Sequence, residues 1–211
     1  MRGDDVIVAV MQRIQDDEFN SHILSLINEA IAYISGQVDL PSLMTSSDVD
    51  VLSTESSVDL PTDYHKRLFW VGAENQSRRI GTREADYYNL HRFLENYYPV
   101  RVAQIDSVCV SGTSLMYHGS DTDTLTLRYY KGFTPITETG KTITVLPPHL
   151  HYGLLVNYPC REISALIESG AEGRKPRTMF YDSRFNMAMA ELREWVRKHT
   201  PVEPVYVRNK E

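Results

Sequence analysis

At 211 residues, with 42% hydrophobic and 24% charged side chains, the chain is long enough to bury a core and has a folded, not a disordered, composition. No apolar run approaches about 18 residues, and the N-terminal MRGDDVIVAVMQRIQ is broken by Gln12 and Arg13, so neither a membrane-spanning helix nor a secretory h-region is expected. The net charge of -6 is unevenly spread: residues 1–63 hold twelve Asp or Glu against Arg2 and Arg13, residues 64–211 sixteen acids against twenty bases, so the acidic first third repels nucleic acid and no basic stripe for wrapping DNA appears.

Asp4 or Asp5 predicts a capped first helix over residues 6–15, with Ile7, Val10, Met11 and Ile14 on one stripe. A second helix follows in FNSHILSLINEAIAYISG, where Ile23, Leu26, Ile27, Ala30 and Ile34 recur at three and four and Gly36 marks the end. The short link between them predicts a helical hairpin. From Val38 the period changes from 3.6 to 2. DVDVLST, with Val49 and Val51, reads as strand; Pro61 forces an extended residue before it and a turn after it; residues 68–71 read as a buried strand. READYYNLHRFLENYY, residues 83–98, places Tyr87, Leu90 and Leu94 at helical spacing and predicts a third helix ended by Pro99.

VRVAQIDSVCV, GTSLMYH and DTLTLRYYKGF, divided by Ser111-Gly112 and Gly119-Ser120-Asp121, predict a meander of antiparallel strands. In the last, Leu125, Leu127 and Tyr129 share a dry face and Thr124, Thr126, Arg128 and Tyr130 a wet one. VLPPHLHYGLL poses a choice. Its two histidines would share a face on a strand, where His118 would be a third ligand for a metal, but Pro147-Pro148 suits a helix entrance and Leu150, Leu154, Leu155 and Tyr158 continue a helix. On a helix His149 and His151 point about 200° apart and cannot meet on one ion. Pro159 should then kink or restart the helix before CREISALIES. After the loop GAEGRKPRT, which carries Arg174, Lys175 and Arg177, Asp182 is placed as the cap of a last helix with Phe185, Met189, Leu192 and Val196 inward and Arg197, Lys198 and His199 at its cation-favouring end. The closing PVEPVYVRNKE excludes helix through its prolines and holds a small apolar cluster, Val205, Tyr206 and Val207.

Catalytic signatures are missing from the sequence: no GxSxG, no GxxxxGK[ST], no GxGxxG after a strand, no HExxH. Cys109 and Cys160 stand alone and read as buried thiols. The carboxylate pairs Asp48/Asp50 and Asp121/Asp123 border turns, where Asp bonds locally, and Ser111-Gly112-Thr113-Ser114 reads as a hairpin tip and not a phosphate cradle. Thirteen tyrosines, paired at Tyr87-Tyr88, Tyr97-Tyr98 and Tyr129-Tyr130, suit subunit interfaces better than base stacking in an acidic chain.

LSLINEA on the second helix, the LPTDY turn, the LTLRYYKGF strand, the Pro-led helix and the closing MAELREW together resemble tailed-phage head-to-tail adaptor (connector) proteins over most of residues 4–199. His149 and His151 stand where acids are commoner in that family, and Pro159 and the helix predicted over residues 83–98 are departures from it. The resemblance implies an α+β fold: an antiparallel helical bundle over 4–36 and 147–199, an inserted mixed β-region over 38–146 with antiparallel strands, and an extended C-terminal tail, 201–211, after a single adaptor domain of residues 1–200. It implies a virion structural protein and not an enzyme, with no cofactor and no metal: a ring, twelvefold in the family, that sits beneath the portal at the head–tail junction, extends the DNA channel, docks tail or nozzle proteins and acts in genome ejection. Partners are then other copies of the chain, the portal, the tail and transiently passing double-stranded DNA, with no membrane. Val205, Tyr206, Val207 and Arg208 become partner-binding residues; Asp16, Asp17, Glu18, Arg174, Lys175 and Arg177 become channel or loop contacts. Competing readings are a tail terminator or tube component, and a small metal-dependent hydrolase on His118, His149 and His151.

Overall fold

The structure is a computed structural model that describes residues 1–73, 78–84, 105, 107–119, 122–170 and 175–200. The chain is α+β and divides into two compact units, one of Met1–Ser42 with Phe133–Glu211, the other of Leu43–Gly132.

The first unit is helical. Helix α1, Gly3–Ile14, begins three residues before the sequence reading placed it, because Asp5 works from inside the first turn: its carboxylate accepts the Arg2 N–H at 2.8 Å. Gln15 ends α1 in the left-handed region, φ 56, returning its N–H to the Met11 carbonyl. Helix α2, Asn20–Gln37, buries Ile23, Ile27, Ala30, Ile31 and Ile34 and packs on α1. Gly36 lies within it, and the exit is the extended Val38. Residues 133–146 hold no regular element but belong to this unit, and the N-terminus helps to hold them: Arg2 bridges Thr142, and Gly3 and Asp4 donate to the carbonyls of Lys141 and Thr139.

The Pro-led segment is helical but not uniform. A 3-10 turn, Pro148–Leu150, leads into a π-helical turn, Tyr152–Val156, and then into helix α3, Asn157–Ile167. The irregularity expected just before Cys160 thus falls a turn earlier, and Pro159 sits buried in the first turn of α3, where a missing N–H is tolerated. The wider π turn leaves a carbonyl over, which Asn157 takes up by donating its Nδ2 to Gly153 at 2.9 Å. A Cβ on Gly153 would lie 2.7 Å from that of Ala188, so only glycine lets the π turn approach the last helix this closely.

Helix α4, Pro176–His199, is longer than predicted, and Asp182 is not its cap. Glu168, on the 3-10 turn that ends α3, caps it instead, accepting the N–H groups of Arg177 and Thr178 at 3.0 and 3.1 Å and the Thr178 hydroxyl at 2.8 Å. Asp182 lies inside the helix and pairs with Arg161 at 3.2 Å. The inward residues are as the spacing predicts: Phe185, Met189, Leu192 and Val196 are buried, with Ala188.

The second unit is a seven-stranded sheet in the order β1-β7-β3-β4-β5-β6-β2, with β1 Met44–Val51, β2 Ser57–Asp59, β3 Tyr64–Ala73, β4 Arg78–Glu84, β5 Ser107–Ser111, β6 Ser114–His118 and β7 Asp123–Lys131. Four sequence expectations change here. Arg83 and Glu84, placed at the head of a third helix, finish β4; residues 85–98 lie outside the described residues. The strands after residue 105 are not a simple meander: β5 and β6 form the expected hairpin, but β7 pairs with β1 and β3. Nor is the sheet wholly antiparallel, since β4 and β5 run parallel, a pairing that a tight hairpin cannot make. Alternation tells which side chains share a face, not which strand lies alongside. The dry face of β7 is as expected, Leu125, Leu127 and Tyr129 joining Leu68, Val71, Val108, Leu115 and Tyr117 in one core, but Tyr130 of the wet set is also buried, against Phe69.

Candidate interaction surfaces

Side chains of the LINEA run and of the Pro-led helical segment act as clamps within the helical unit. Asn28, in the LINEA run of α2, makes a two-way bond to one residue of the 133–146 segment: its Oδ1 accepts the Ile136 N–H at 2.8 Å and its Nδ2 donates to the Ile136 carbonyl at 3.0 Å. Neighbouring Glu29 accepts the Tyr158 hydroxyl at 3.0 Å, and burial together with that bond pushes the phenol up to about 12. The Arg161 guanidinium lies over the rings of Tyr158 and Phe185, 4.5 and 5.2 Å from their centroids, while pairing with Asp182. From α1, Arg13 donates to Oδ1 of Asn157 at 3.1 Å and to the Tyr152 hydroxyl, whose ring it also covers. Polar side chains therefore hold α1, α2 and the π turn in register around an apolar core.

The two histidines of VLPPHLHYGLL separate as helical spacing requires. His149 is exposed; His151 is 1% exposed, with Nε2 2.8 Å from the Leu146 carbonyl and no hydrogen-bond partner for Nδ1. Burial holds the His151 imidazole below its usual range, against the opposing pull of the Leu146 bond, and the N-terminal amine and His149 add to the lowering. Among the described residues no three His, Cys, Asp or Glu side chains come together as a metal site. Cys160 is fully buried, which pushes its thiol up to about 12 although Arg13 works the other way.

Of the residues singled out on sequence, Asp16, Asp17 and Glu18 lie in the turn between α1 and α2, where the Asp16 carboxylate accepts the Glu18 N–H at 3.0 Å and Glu18 is exposed. Lys175 is the residue before α4 and half-buried; Arg177 is exposed in its first turn. Arg174, Val205, Tyr206, Val207 and Arg208 lie outside the described residues.

A surface that sequence reasoning missed runs along α4. Met179, Phe180 and Met187 are 64%, 51% and 61% exposed, and Phe180, Arg184 and Met187 recur at helical spacing on one stripe, with the Arg184 guanidinium 5.3 Å from the Phe180 ring. Leu166 and Ile167, also exposed, end α3 beside the Glu168 cap of the same helix. The signal is present in TMFYD, but a helix that starts only after Asp182 gives Met179 and Phe180 no helical face.

Met179, Phe180 and Met187 thus leave apolar helix surface exposed, the kind of patch that commonly marks a contact site. The family model of the SU10 adaptor protein matches residues 1–207. The chain belongs to the SU10 adaptor protein family. This is a structural family of phage adaptors, not a family of enzymes. The SU10 adaptor match covers LINEA, LPTDY, LRYYKGF and MAELREW alike, so motifs that are weak singly belong to one pattern. No curated protein matches the chain. No described helix of the chain is long and apolar enough to cross a membrane.

Proposed function

We propose that this adaptor is a single working domain, an antiparallel helical bundle with an inserted β-region and an extended tail, which assembles as a ring of about twelve copies beneath the portal, extends the DNA channel and docks the tail. The observation that carries this reading is the family match over residues 1–207, joined to an exposed Met179–Phe180–Met187 surface that a monomeric protein has no use for. A closed ring needs two different patches on each subunit, and the two units carry different surface chemistry. The tail residues Val205, Tyr206, Val207 and Arg208 contact a partner chain in this scheme, Asp16, Asp17 and Glu18 present like charge to passing DNA so that it slides, and Arg174, Lys175 and Arg177 are loop contacts near the channel.

The test is assembly. Purified chain mixed with its portal should give rings of defined stoichiometry by native mass spectrometry and electron microscopy, and replacing Phe180 and Met187 by Ser should abolish them while leaving the fold intact. A chain that binds neither the portal nor any tail component would overturn the reading. Charge reversal of Asp16, Asp17 and Glu18 in assembled virions should slow genome ejection; unchanged ejection rules out the channel role of that turn.

A further inference from the structure

Strand β1 is the long edge of the sheet. Its eight residues, Met44–Val51, pair along one side with β7, and among the described residues its other side pairs with no strand; the opposite edge, β2, has only three residues. A bare edge of this length is a template for another strand, and proteins normally protect such edges with charge or cover.

The two faces beside that edge make different demands on what covers it. On the wet face the Asp48 and Asp50 carboxylates accept the hydroxyls of Thr126 and Thr124 at 2.7 and 2.9 Å, which fixes two negative charges in a row two residues apart, both exposed. On the dry face Val49 is only half-buried at the rim of the core, leaving apolar surface to be finished by a neighbour. A strand that fits therefore alternates, with apolar side chains toward Val49 and cations two apart toward Asp48 and Asp50. The edge also rejects its own kind, since two β1 strands laid together would set Asp48 and Asp50 against their copies.

The chain carries one sequence with that pattern outside the described residues. In PVYVRNKE, Val205 and Val207 fall on one face of an extended strand and Tyr206, Arg208 and Lys210 on the other, the two cations at the same spacing as the two carboxylates. Pro201 and Pro204 keep this segment from continuing α4 as helix, and eleven extended residues reach up to about 36 Å beyond it.

We propose that residues 204–210 of one copy add as a strand to the β1 edge of a second copy, with Arg208 and Lys210 over Asp48 and Asp50 and with Val205 and Val207 completing the core rim at Val49. This rests on the ring reading above and names its subunit joint. The contact is heterologous, tail to edge, so it repeats from copy to copy and closes only as a ring. Main-chain bonds give it strength, and the alternation gives it register.

Disulfide trapping in mixtures of full-length chains, each with one introduced cysteine, and the portal tests it, and burial of the native Cys109 and Cys160 keeps the background low. Chains bearing Asp48→Cys should cross-link to chains bearing Arg208→Cys at several-fold higher yield than to chains bearing Val207→Cys, whose side chain faces the other way. Equal yields, no cross-link, a bond from Asp48→Cys to another virion protein, or a bond formed only inside a single Asp48→Cys/Arg208→Cys chain overturns the proposal. As a second measure, Asp48→Lys/Asp50→Lys and Arg208→Glu/Lys210→Glu should each lower ring yield, and all four substitutions carried by one chain should restore it; absence of restoration counts against the joint. Native mass spectrometry of the same samples separates the two readings: rings without the cross-link sink the tail-to-edge contact alone, whereas no rings with portal present sink the ring itself.

Discussion

The helical unit and the β unit meet water in opposite ways. The helical unit exposes Val8, Tyr33, Tyr152, Leu166, Ile167, Met179, Phe180 and Met187, while among the described residues of the β unit only Leu52, just after β1, is a comparably exposed large apolar side chain, and the sheet carries the Asp–Thr rows and an arginine–tryptophan pair at its surface. Their polar contacts differ as well. In the helical unit Asn28, Glu29, Arg13, Asn157 and Arg161 bind across elements around the apolar core, with Asn157 buried, whereas in the β unit Asp123 and Ser107 are buried beside an aliphatic and aromatic cluster and the Asp–Thr rows lie at the rim. The lesson is a division of labour: one unit uses polar groups to hold its elements in register and leaves apolar surface exposed, the other keeps a polar, hydrogen-bonding rim.

The sharpest way to break this comparison is to empty each core in turn. Phe185→Ala removes a ring that is 1% exposed and packed against Tyr158 and Arg161, and should cost about 3–5 kcal/mol; Leu127→Ala in the sheet should cost about 2–5 kcal/mol. If the two units melt separately, calorimetry will show each variant lowering one transition; a single shared transition moved by both would show that they fold as one cooperative body. Next in size are the polar clamps. Asn28→Ala strips both bonds from Ile136 and should cost about 1–3 kcal/mol in denaturant unfolding, with faster amide exchange along residues 133–146, while Thr124→Val on the sheet rim should cost less because its partner Asp50 stays in water. Gly153→Ala, which forces a methyl against Ala188, should also cost about 1–3 kcal/mol.

A smaller effect follows from pH. His151 is buried with its pKa held below the usual histidine value of about 6.5, so the unfolded chain takes up its proton first. Its contribution is fully present above about pH 6.5 and is lost as the pH falls through the lower folded value. Denaturant midpoints measured from pH 8 to pH 5 should decline on the acid side, and His151→Gln should flatten that decline; an unchanged slope would remove His151 from the account. The least effect on stability is expected from Phe180→Ser, within about 0.5 kcal/mol by thermal unfolding, though assembly with the portal should be lost.

What the chain's sequence determined by itself was local: the stripes of α2 and α4, Val10 and Ile14 of the α1 stripe, the dry face of β7 and the divergence of His149 and His151, each set by a period of 3.6 or 2 that short-range geometry imposes, while the α+β class followed from the family resemblance. The order of family motifs was also legible there, since it survives without any single catalytic signature. The tertiary structure alone decided which strand lies beside which, because alternation specifies a face and not a neighbour, and so it placed β7 in the sheet interior, made β4 and β5 parallel and left β1 at an edge. It also decided the α4 start, since the cap is Glu168 from another element and nothing adjacent in sequence announces it. The exposed Met179 and Phe180 follow from that start, and with them the surface on which the contact reading stands.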